Sequence, residues 1–269
     1  MMEQVLKNFL DFWDQYERQH DGGVWHAEDL GKCRCIESVD LEFQEGGPIV
    51  WPHDRKDREK IKRTIARNLG PIPYCGNLRK AKIVILQCNP SVSDFNYREE
   101  IGIEGYSGRC WREINEGYGF VFANEMFGLK NPGAFNWWYP QVAPAVGYVR
   151  AKLMEGGKET GIEDVWSKVR ENICTIDLVA YRSKKEPENI GNLLELESTK
   201  IAIELGKCFM NSSEHDVFVH IGRGAWRKAL KGCNGVSIDE HRTSTNNPVG
   251  AIIGNCPRFR EALMNRVFS

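Results

Sequence analysis

The sequence lacks several features that would assign it to a class at once. It has no run of about 18 apolar residues, so we expect no transmembrane helix and no membrane partner. It has no excess of charge of either sign, with 36 Lys and Arg against 37 Asp and Glu and a formal net charge of -1. This balance excludes a histone-like protein that binds polyanions by bulk charge. It leaves room for a nucleic-acid enzyme with one local basic face.

The nine cysteines lack the arrangement of a disulfide scaffold. Their count is odd and they are scattered along 269 residues, whereas disulfide-rich secreted domains are short and carry paired cysteines. Cys33 and Cys35 stand close together, with His53 and Cys75 further along, but no second close pair follows. We therefore predict a reduced, cytoplasmic protein with no metal and no organic cofactor.

The N-terminus lacks the apolar core of a signal peptide, because Glu3, Lys7 and Asp11 interrupt it. Hydrophobic residues make up 41% of the chain and charged residues 27%, which is ordinary for a globular protein. The length predicts one domain over residues 1–269. We expect residues 1–75 to form a helical extension packed on an α/β core of residues 76–269.

Apolar periodicity predicts strands that alternate with helices, and hence a three-layer α/β/α fold with a central, mostly parallel four-stranded sheet. Residues 92–150 resist assignment, and the aromatic cluster Phe135–Tyr139 is interpreted as packing or as a lid. The predicted strands are Ala81–Gln87, Ile173–Val179, Val217–Ile221 and Val236–Ile238. The predicted helices are the first 20 residues, Asp54–Asn68, Ile162–Glu171, Leu193–Met210, Gly222–Lys231 and Pro257–Phe268.

Polar residues stand near the ends of three predicted strands. Asn89 follows the first strand, Asp177 lies near the end of the second, and His241 follows the fourth. Ligands of open α/β sheets bind beyond the carboxyl ends of the strands. The three side chains are therefore candidates for one site.

The segments around these residues resemble motifs of the uracil-DNA glycosylase superfamily. Leu86–Ser91 reads Leu-Gln-Cys-Asn-Pro-Ser and is similar to the family's Gly-x-Asn-Pro-Gly turn. His241–Pro248 resembles the family's His-Pro-Ser-Pro-x-Asn-Pro motif, and Val217–Ala225 resembles its Val-Phe-x-x-x-Gly-x-x-Ala strand and turn. The motif style is closest to the mismatch-specific and single-strand-selective branches. The resemblance implies a uracil-DNA glycosylase-like fold and hydrolysis of the N-glycosidic bond of a flipped base.

The resemblance also implies roles for individual residues. Asn89 matches the residue that positions the attacking water, and His241 matches the histidine that donates a hydrogen bond to O2 of the base. Such a donor stabilises the departing base anion, and its loss raises the barrier by roughly 2.7–4 kcal/mol. Asp177 falls where the family places an Asn that reads the pyrimidine edge. The other residues assigned to base contact are Gln87, Cys88, Ser91 and Phe95, with Phe95 as the stacking partner.

Two departures from the family pattern favour a modified cytosine over uracil. Ser91 stands where the most uracil-selective members carry a bulky Tyr, so it leaves room beside C5 of the base. Asp177 replaces the Asn, and an ionised carboxylate only accepts hydrogen bonds, which suits the N4 amino group of cytosine. If Asp177 is protonated in a buried pocket, it could also donate to N3 of cytosine and so help the base leave. We therefore predict a monofunctional glycosylase for hydroxymethylated or glucosylated cytosine, as found in phage DNA, with anti-phage defence as its role.

DNA is the predicted partner, and no obligatory protein partner is expected. Val217–Ser269 carries eight Lys and Arg against three acidic residues, an excess of positive charge that suits phosphate contacts. Arg242 is the first candidate for a phosphate or groove contact. The residues assigned to DNA contact are Arg223, Arg242, Ser244, Thr245 and Asn246.

Other interpretations of the same residues remain open. The chain could be a uracil or mismatch repair glycosylase, or a nucleic-acid-binding protein that uses this fold without catalysis. A cysteine hydrolase would use Cys88 and His241, although Cys88 fits equally well as a core residue. Asp177 could pair with Arg182 or Lys184 on the surface.

Overall fold

A four-stranded sheet organises the part of the chain that the computed structural model describes. The strands are β1 (Ser38–Val39), β2 (Glu42–Phe43), β3 (Ile49–Val50), β4 (Ile65–Ala66), β5 (Tyr74–Cys75), β6 (Ile83–Gln87), β7 (Ile173–Asp177) and β8 (Asp216–Val219). The helices are α1 (Met2–Arg18), α2 (Leu30–Cys33), α3 (Pro132–Glu155), α4 (Ile162–Asn172), α5 (Ile190–Leu193), α6 (Glu197–Met210), α7 (Arg223–Ala229) and α8 (Pro257–Val267), with a 3-10 turn at Ile253–Asn255. The described residues are 1–18, 26–33, 36, 38–39, 42–43, 49–50, 63–66, 69–90, 132–183, 187, 190–220, 223–230 and 252–269.

The main sheet has the order β5-β7-β6-β8 and is mostly parallel. β6 pairs in parallel with β7 on one side and with β8 on the other, and Ile83 is in register with both Ile173 and Asp216. β5 joins the edge antiparallel to β7. The predicted mixed α/β fold with a mostly parallel four-stranded sheet is confirmed. The fourth strand, however, is β5, and the predicted strand Val236–Ile238 lies outside the described residues.

Helices cover both faces of this sheet because the side chains of each strand alternate between them. Val84 and Leu86 pack with α1, α6 and α7 in one apolar cluster. Ile83 and Ile85 pack with α3, α4 and α8 in a second cluster. β6 is buried over its whole length, which explains its continuous apolar sequence.

The N-terminal helix predicted for the first 20 residues is confirmed as α1. Its apolar residues recur at helical spacing and are buried in the cluster that includes α6. Burial of this face, rather than helix propensity alone, holds α1 in place. The buried residues are Leu6, Phe9, Phe12, Trp13 and Tyr16.

Two segments differ from the sequence-based expectation. The helix predicted over 54–68 is wrong at its end, because Ile65–Ala66 is a strand that pairs in parallel with β1. α3 was not predicted, since Pro140 and Pro144 lie inside it and proline normally interrupts a helical pattern. At 24 residues, α3 is the longest helix in the described ranges. Neither it nor any other helix there combines the length and apolar character needed to cross a membrane.

Candidate functional site

Three neighbouring parallel strands end in buried polar side chains. Gln87 ends β6, Asp177 ends β7, and His220 directly follows β8. Gln87 and Asp177 are in register, and the backbone N–H of His220 donates to the carbonyl oxygen of Leu86 at 3.0 Å. The exposed fractions of Gln87, Asp177 and His220 are only 7%, 4% and 9%. We call these three residues the strand-end row.

The strand-end row faces the side of the sheet that α3 covers. Each member lies two residues beyond a side chain on that face: Ile85, Thr175 and Phe218. Ile85 and Phe218 both belong to the cluster that contains α3, α4 and α8. Because side chains alternate along a strand, the row lies on the same face. The carboxyl ends of the strands thus present three polar groups side by side.

Asp177 carries the single carboxyl group of the strand-end row, and its environment perturbs that group. Its Oδ1 is buried and has no hydrogen-bond partner within the described ranges. Desolvation raises the pKa of this carboxyl well above its ordinary value, because burial penalises the charged form. The alternative in which Asp177 forms a surface ion pair with Arg182 is wrong, since Asp177 is buried. Lys184 lies outside the described residues.

Asn89 is held in one orientation beyond the end of β6. Its Nδ2 donates to Ser183 Oγ at 2.9 Å and approaches the carbonyl oxygens of Pro90 at 3.1 Å and Ser183 at 3.3 Å. Carbonyl oxygens only accept hydrogen bonds, so these contacts assign the amide nitrogen to this side. Asn89 Oδ1 consequently points away from Ser183 as an acceptor.

Residues 178–183 form a buried loop after β7 that fixes Ser183. We call it the β7 loop. Leu178 N–H donates to Gln87 O at 2.9 Å, and Val179 N–H donates to Cys88 O at 2.8 Å. On its other side, the loop accepts hydrogen bonds from Ile72 and Ala66, through the carbonyl oxygens of Ala180 and Arg182. Asn89 is therefore oriented by a loop whose backbone is bonded at four points.

The segment 26–33 ties the β7 loop to the helices. Tyr181 OH donates to Asp29 Oδ2 at 2.6 Å and accepts from the backbone N–H of His26 at 3.0 Å. Asp29 Oδ1 accepts from the backbone N–H groups of Glu197 and Ser198 at the start of α6, at 2.7 and 3.3 Å. His26 Nε2 lies 2.9 Å from Phe12 O in α1. This buried network connects α1 and α6 to the loop beside Asn89.

His220 and Trp138 are site residues that the sequence reasoning missed. Their ring centroids are 6.2 Å apart with an interplanar angle of 39°. His220 lies inside the predicted strand Val217–Ile221 and the family-like segment Val217–Ala225, whereas the observed strand ends one residue earlier, at Val219. Trp138 belongs to the aromatic cluster for which the sequence left packing and a lid open. The spacing of residues along the sequence could not show that the Trp138 ring lies beside His220.

Cys88 is fully buried in the apolar cluster on the other face of the sheet, with Val84 and Leu86. Its side chain thus packs away from the strand-end row, as alternation along the chain requires. This placement favours the core interpretation over a nucleophile.

Of the remaining predicted residues, Arg223 begins α7, three positions after His220. Among the residues whose positions are described, no group of three His, Cys, Asp or Glu side chains could hold a metal ion. The predicted residues outside the described ranges are Ser91, Phe95, His241, Arg242, Ser244, Thr245 and Asn246.

No family model, curated protein or solved structure matches this chain.

Proposed function

We propose that the protein is a DNA glycosylase that hydrolyses the N-glycosidic bond of a flipped, C5-substituted cytosine. The observation that carries the proposal is that two suitable polar groups, Asn89 and Asp177, stand at the same edge of the sheet. Asn89 has its amide nitrogen fixed by Ser183, and Asp177 presents a buried oxygen without a described partner. Asn89 suits the positioning of the attacking water, and Asp177 suits recognition of the edge of the base.

Asn89 has the chemistry to hold a nucleophilic water. With Nδ2 bonded to Ser183, Oδ1 is left to accept a hydrogen bond from a water and to direct it toward the sugar carbon. A carboxamide is too weak a base to remove a proton early. It therefore suits a reaction in which the bond to the base breaks first and positive charge develops on the sugar.

Asp177 has the chemistry to read cytosine and to help it leave. The raised pKa favours the protonated carboxyl, which donates through O–H and accepts through C=O. Cytosine offers the matching pair, since N3 accepts and the N4 amino group donates. A hydrogen bond to N3 stabilises the negative charge of the departing base. Uracil already carries a hydrogen at N3, so it cannot receive this assistance there.

Residues known only from the sequence complete the proposed site. His241 would donate to O2 of the base, and Ser91 would leave space at C5. Arg223 lies within about 11 Å of His220 along the chain and begins α7, which also carries Arg227 and Lys228. These cations suit the phosphates beside a flipped nucleotide. Because such cytosines occur in phage DNA, we propose defence against phage as the biological role.

An abasic-site assay on duplexes that contain uracil, 5-hydroxymethylcytosine or glucosylated 5-hydroxymethylcytosine tests the proposal. We expect abasic sites at the modified cytosines. Asn89→Ala should reduce the rate of base release about a hundredfold or more, which is the usual effect of removing a general acid–base group. Asn211→Ala, which alters an exposed Asn at the end of α6, is the matched control and should keep the rate.

Three results would contradict parts of this account. Cleavage of uracil alone would exclude the cytosine assignment and leave a repair glycosylase. Release of no base, together with tight DNA binding, would favour a non-catalytic binding protein. An unchanged rate in Asn89→Ala would remove Asn89 from the reaction. Asp177→Asn should lose the preference for cytosine, and an unchanged preference would exclude Asp177 as the reader of the base edge.

A further inference from the structure

We propose that Trp226 is a positioning residue for Asn89, because its indole N–H fixes the stretch of backbone that leads from β6 to Asn89. The inference rests on the proposed function, in which Asn89 holds the attacking water. Trp226 lies in α7 and is fully buried, so it cannot contact DNA itself. It acts through the backbone at the end of β6.

The carbonyl oxygen of Gln87 is the point at which three elements meet. Gln87 is the last residue of β6, and its oxygen accepts from the Leu178 N–H of the β7 loop at 2.9 Å. The same oxygen accepts from Nε1–H of Trp226 at 2.6 Å. A carbonyl oxygen has two lone pairs, so the β7 loop engages one of them and α7 the other.

Two held peptide groups follow each other between this carbonyl and Asn89. Because the peptide bond is planar, the two donors to Gln87 O set the plane of the peptide that joins it to Cys88. Val179 N–H donates to Cys88 O at 2.8 Å and sets the plane of the next peptide, which contains Cα of Asn89. The Asn89 side chain is then bonded to Ser183. The position of Asn89 thus depends on donors from both the β7 loop and α7.

The packing of the indole ring determines whether its N–H reaches Gln87. The outer edge of the ring lies against Gly206 of α6, where an added Cβ would stand 2.9 Å from Cζ3 and 3.1 Å from Cη2 of Trp226. Carbon atoms pack at about 3.5–4.0 Å, so a side chain at position 206 would displace the ring. Glycine therefore leaves the space in which the ring holds Nε1 at Gln87 O.

The first test removes the indole N–H and keeps the packing. The tryptophan analogue benzothienylalanine carries sulfur in place of the N–H and has nearly the same shape, so its incorporation at position 226 removes the hydrogen bond alone. We expect kcat on the 5-hydroxymethylcytosine duplex to fall about tenfold with KM nearly unchanged, since the reacting group loses its alignment. Trp226→Phe should lower kcat similarly and also lose stability. Trp166→Phe alters a buried tryptophan of the other apolar cluster and is the matched control, which should lose stability and keep kcat.

Gly206→Ala approaches the same contact from the other side of the ring. The added methyl group should displace the indole from Gln87 O and lower kcat about tenfold. In the Trp226→Phe background the same substitution should change kcat little, because phenylalanine lacks the outer ring edge that faces Gly206. Independent, additive losses in the double variant would overturn the positioning role.

Hydrogen exchange of the Asn89 side chain reports its orientation without turnover. Its two Nδ2 protons are observed by nuclear magnetic resonance and assigned by their absence in Asn89→Ala. The bond to Ser183 Oγ should slow their exchange with water in wild type. Benzothienylalanine at position 226 should raise the exchange rate several-fold, and Trp166→Phe should not. Circular dichroism identifies any variant that fails to fold, in which case the benzothienylalanine protein decides the question.

Failure of the positioning role and failure of the proposed function give different results. If wild type releases the modified base and the benzothienylalanine protein keeps its kcat, the positioning role is wrong and the glycosylase assignment stands. A rise in KM with unchanged kcat would also overturn the positioning role. If wild type releases no base but the Asn89 exchange rate rises in the benzothienylalanine protein, the glycosylase assignment is wrong and Trp226 still positions Asn89. If wild type releases no base and the exchange rate is unchanged, both proposals are wrong.

Discussion

At the scale of single residues, Asp177 combines burial with a carboxyl group that lacks a described partner at Oδ1. Its folded-state pKa lies above the unfolded value of about 3.9, so the native state binds the proton more tightly. The stabilisation that this tighter proton binding gives the native state is complete below the pKa of the unfolded state. It is lost as pH rises toward the pKa of the folded state. Each pH unit in that interval costs about 1.4 kcal/mol.

Asp177→Asn should therefore gain stability relative to wild type as pH rises. We expect urea unfolding at pH 4, 6 and 8 to show a variant-minus-wild-type difference that grows with pH. Glu159→Gln, which removes an exposed carboxylate, is the control and should show no such growth. A constant difference for Asp177→Asn at all three pH values would contradict the raised pKa.

Ser183 is a positioning residue, because it orients Asn89 and takes no part in the proposed chemistry itself. Ser183→Ala removes the Nδ2 to Oγ hydrogen bond, which is worth about 1 kcal/mol net. We expect kcat to fall about tenfold with KM nearly unchanged, and Ser183→Thr to restore most of kcat. Ser213→Ala, on an exposed turn, is the control. If Ser183→Ala loses stability and DNA binding while kcat stays unchanged, the positioning role is contradicted.

The sequence allowed Asn89 and Asp177 to be predicted at one edge of the sheet, because Asn89 follows one buried parallel strand and Asp177 lies near the end of another. It could not predict the orientation of the Asn89 amide, since Ser183 stands 94 positions away along the chain. It also missed His220, because the predicted strand ran through this residue to Ile221, whereas the observed strand ends at Val219.

At the scale of elements, α6 is capped by a residue from a distant segment. Its local N-cap position, Leu196, provides no side-chain cap. Asp29 instead accepts from the Glu197 and Ser198 N–H groups, and a carboxylate there also faces the positive end of the helix. The same side chain accepts from Tyr181 OH.

Asp29→Ala should lower the free energy of unfolding by roughly 3 kcal/mol, because it removes a cap and the hydrogen bond that Asp29 accepts from the buried Tyr181 hydroxyl. Tyr181→Phe leaves the cap in place but removes the hydroxyl's hydrogen bonds to Asp29 and from the His26 N–H, and should cost about 2 kcal/mol. Chemical denaturation measures both values. An unchanged free energy of unfolding in Asp29→Ala would contradict the capping role.

Element prediction succeeded where a periodic apolar pattern coincides with burial, as in α1, β6 and α8. It failed where tertiary contacts override local signals. α3 accommodates Pro140 and Pro144 within 24 residues, and its apolar side chains pack on the sheet. β5 is only two residues long and is defined by its pairing with β7, which no local pattern encodes.

At the scale of the whole molecule, the near-zero net charge is an average over regions of different charge. Part of the positive excess in the C-terminal region serves the fold. Arg266 pairs with Asp216, and Arg260 donates to the carbonyl oxygen of Gly254. The basic residues of α7 are nearer in sequence to the strand-end row and, under the proposed function, are the better candidates for DNA contact.

The central claim is that a water held by Asn89 attacks the sugar carbon of a modified cytosine nucleotide. The most direct measurement is incubation with DNA containing glucosylated 5-hydroxymethylcytosine in water enriched in oxygen-18, followed by mass analysis of all products. We expect release of the intact modified base without label and one labelled oxygen on the deoxyribose. Label in the base, or no released base, would contradict it.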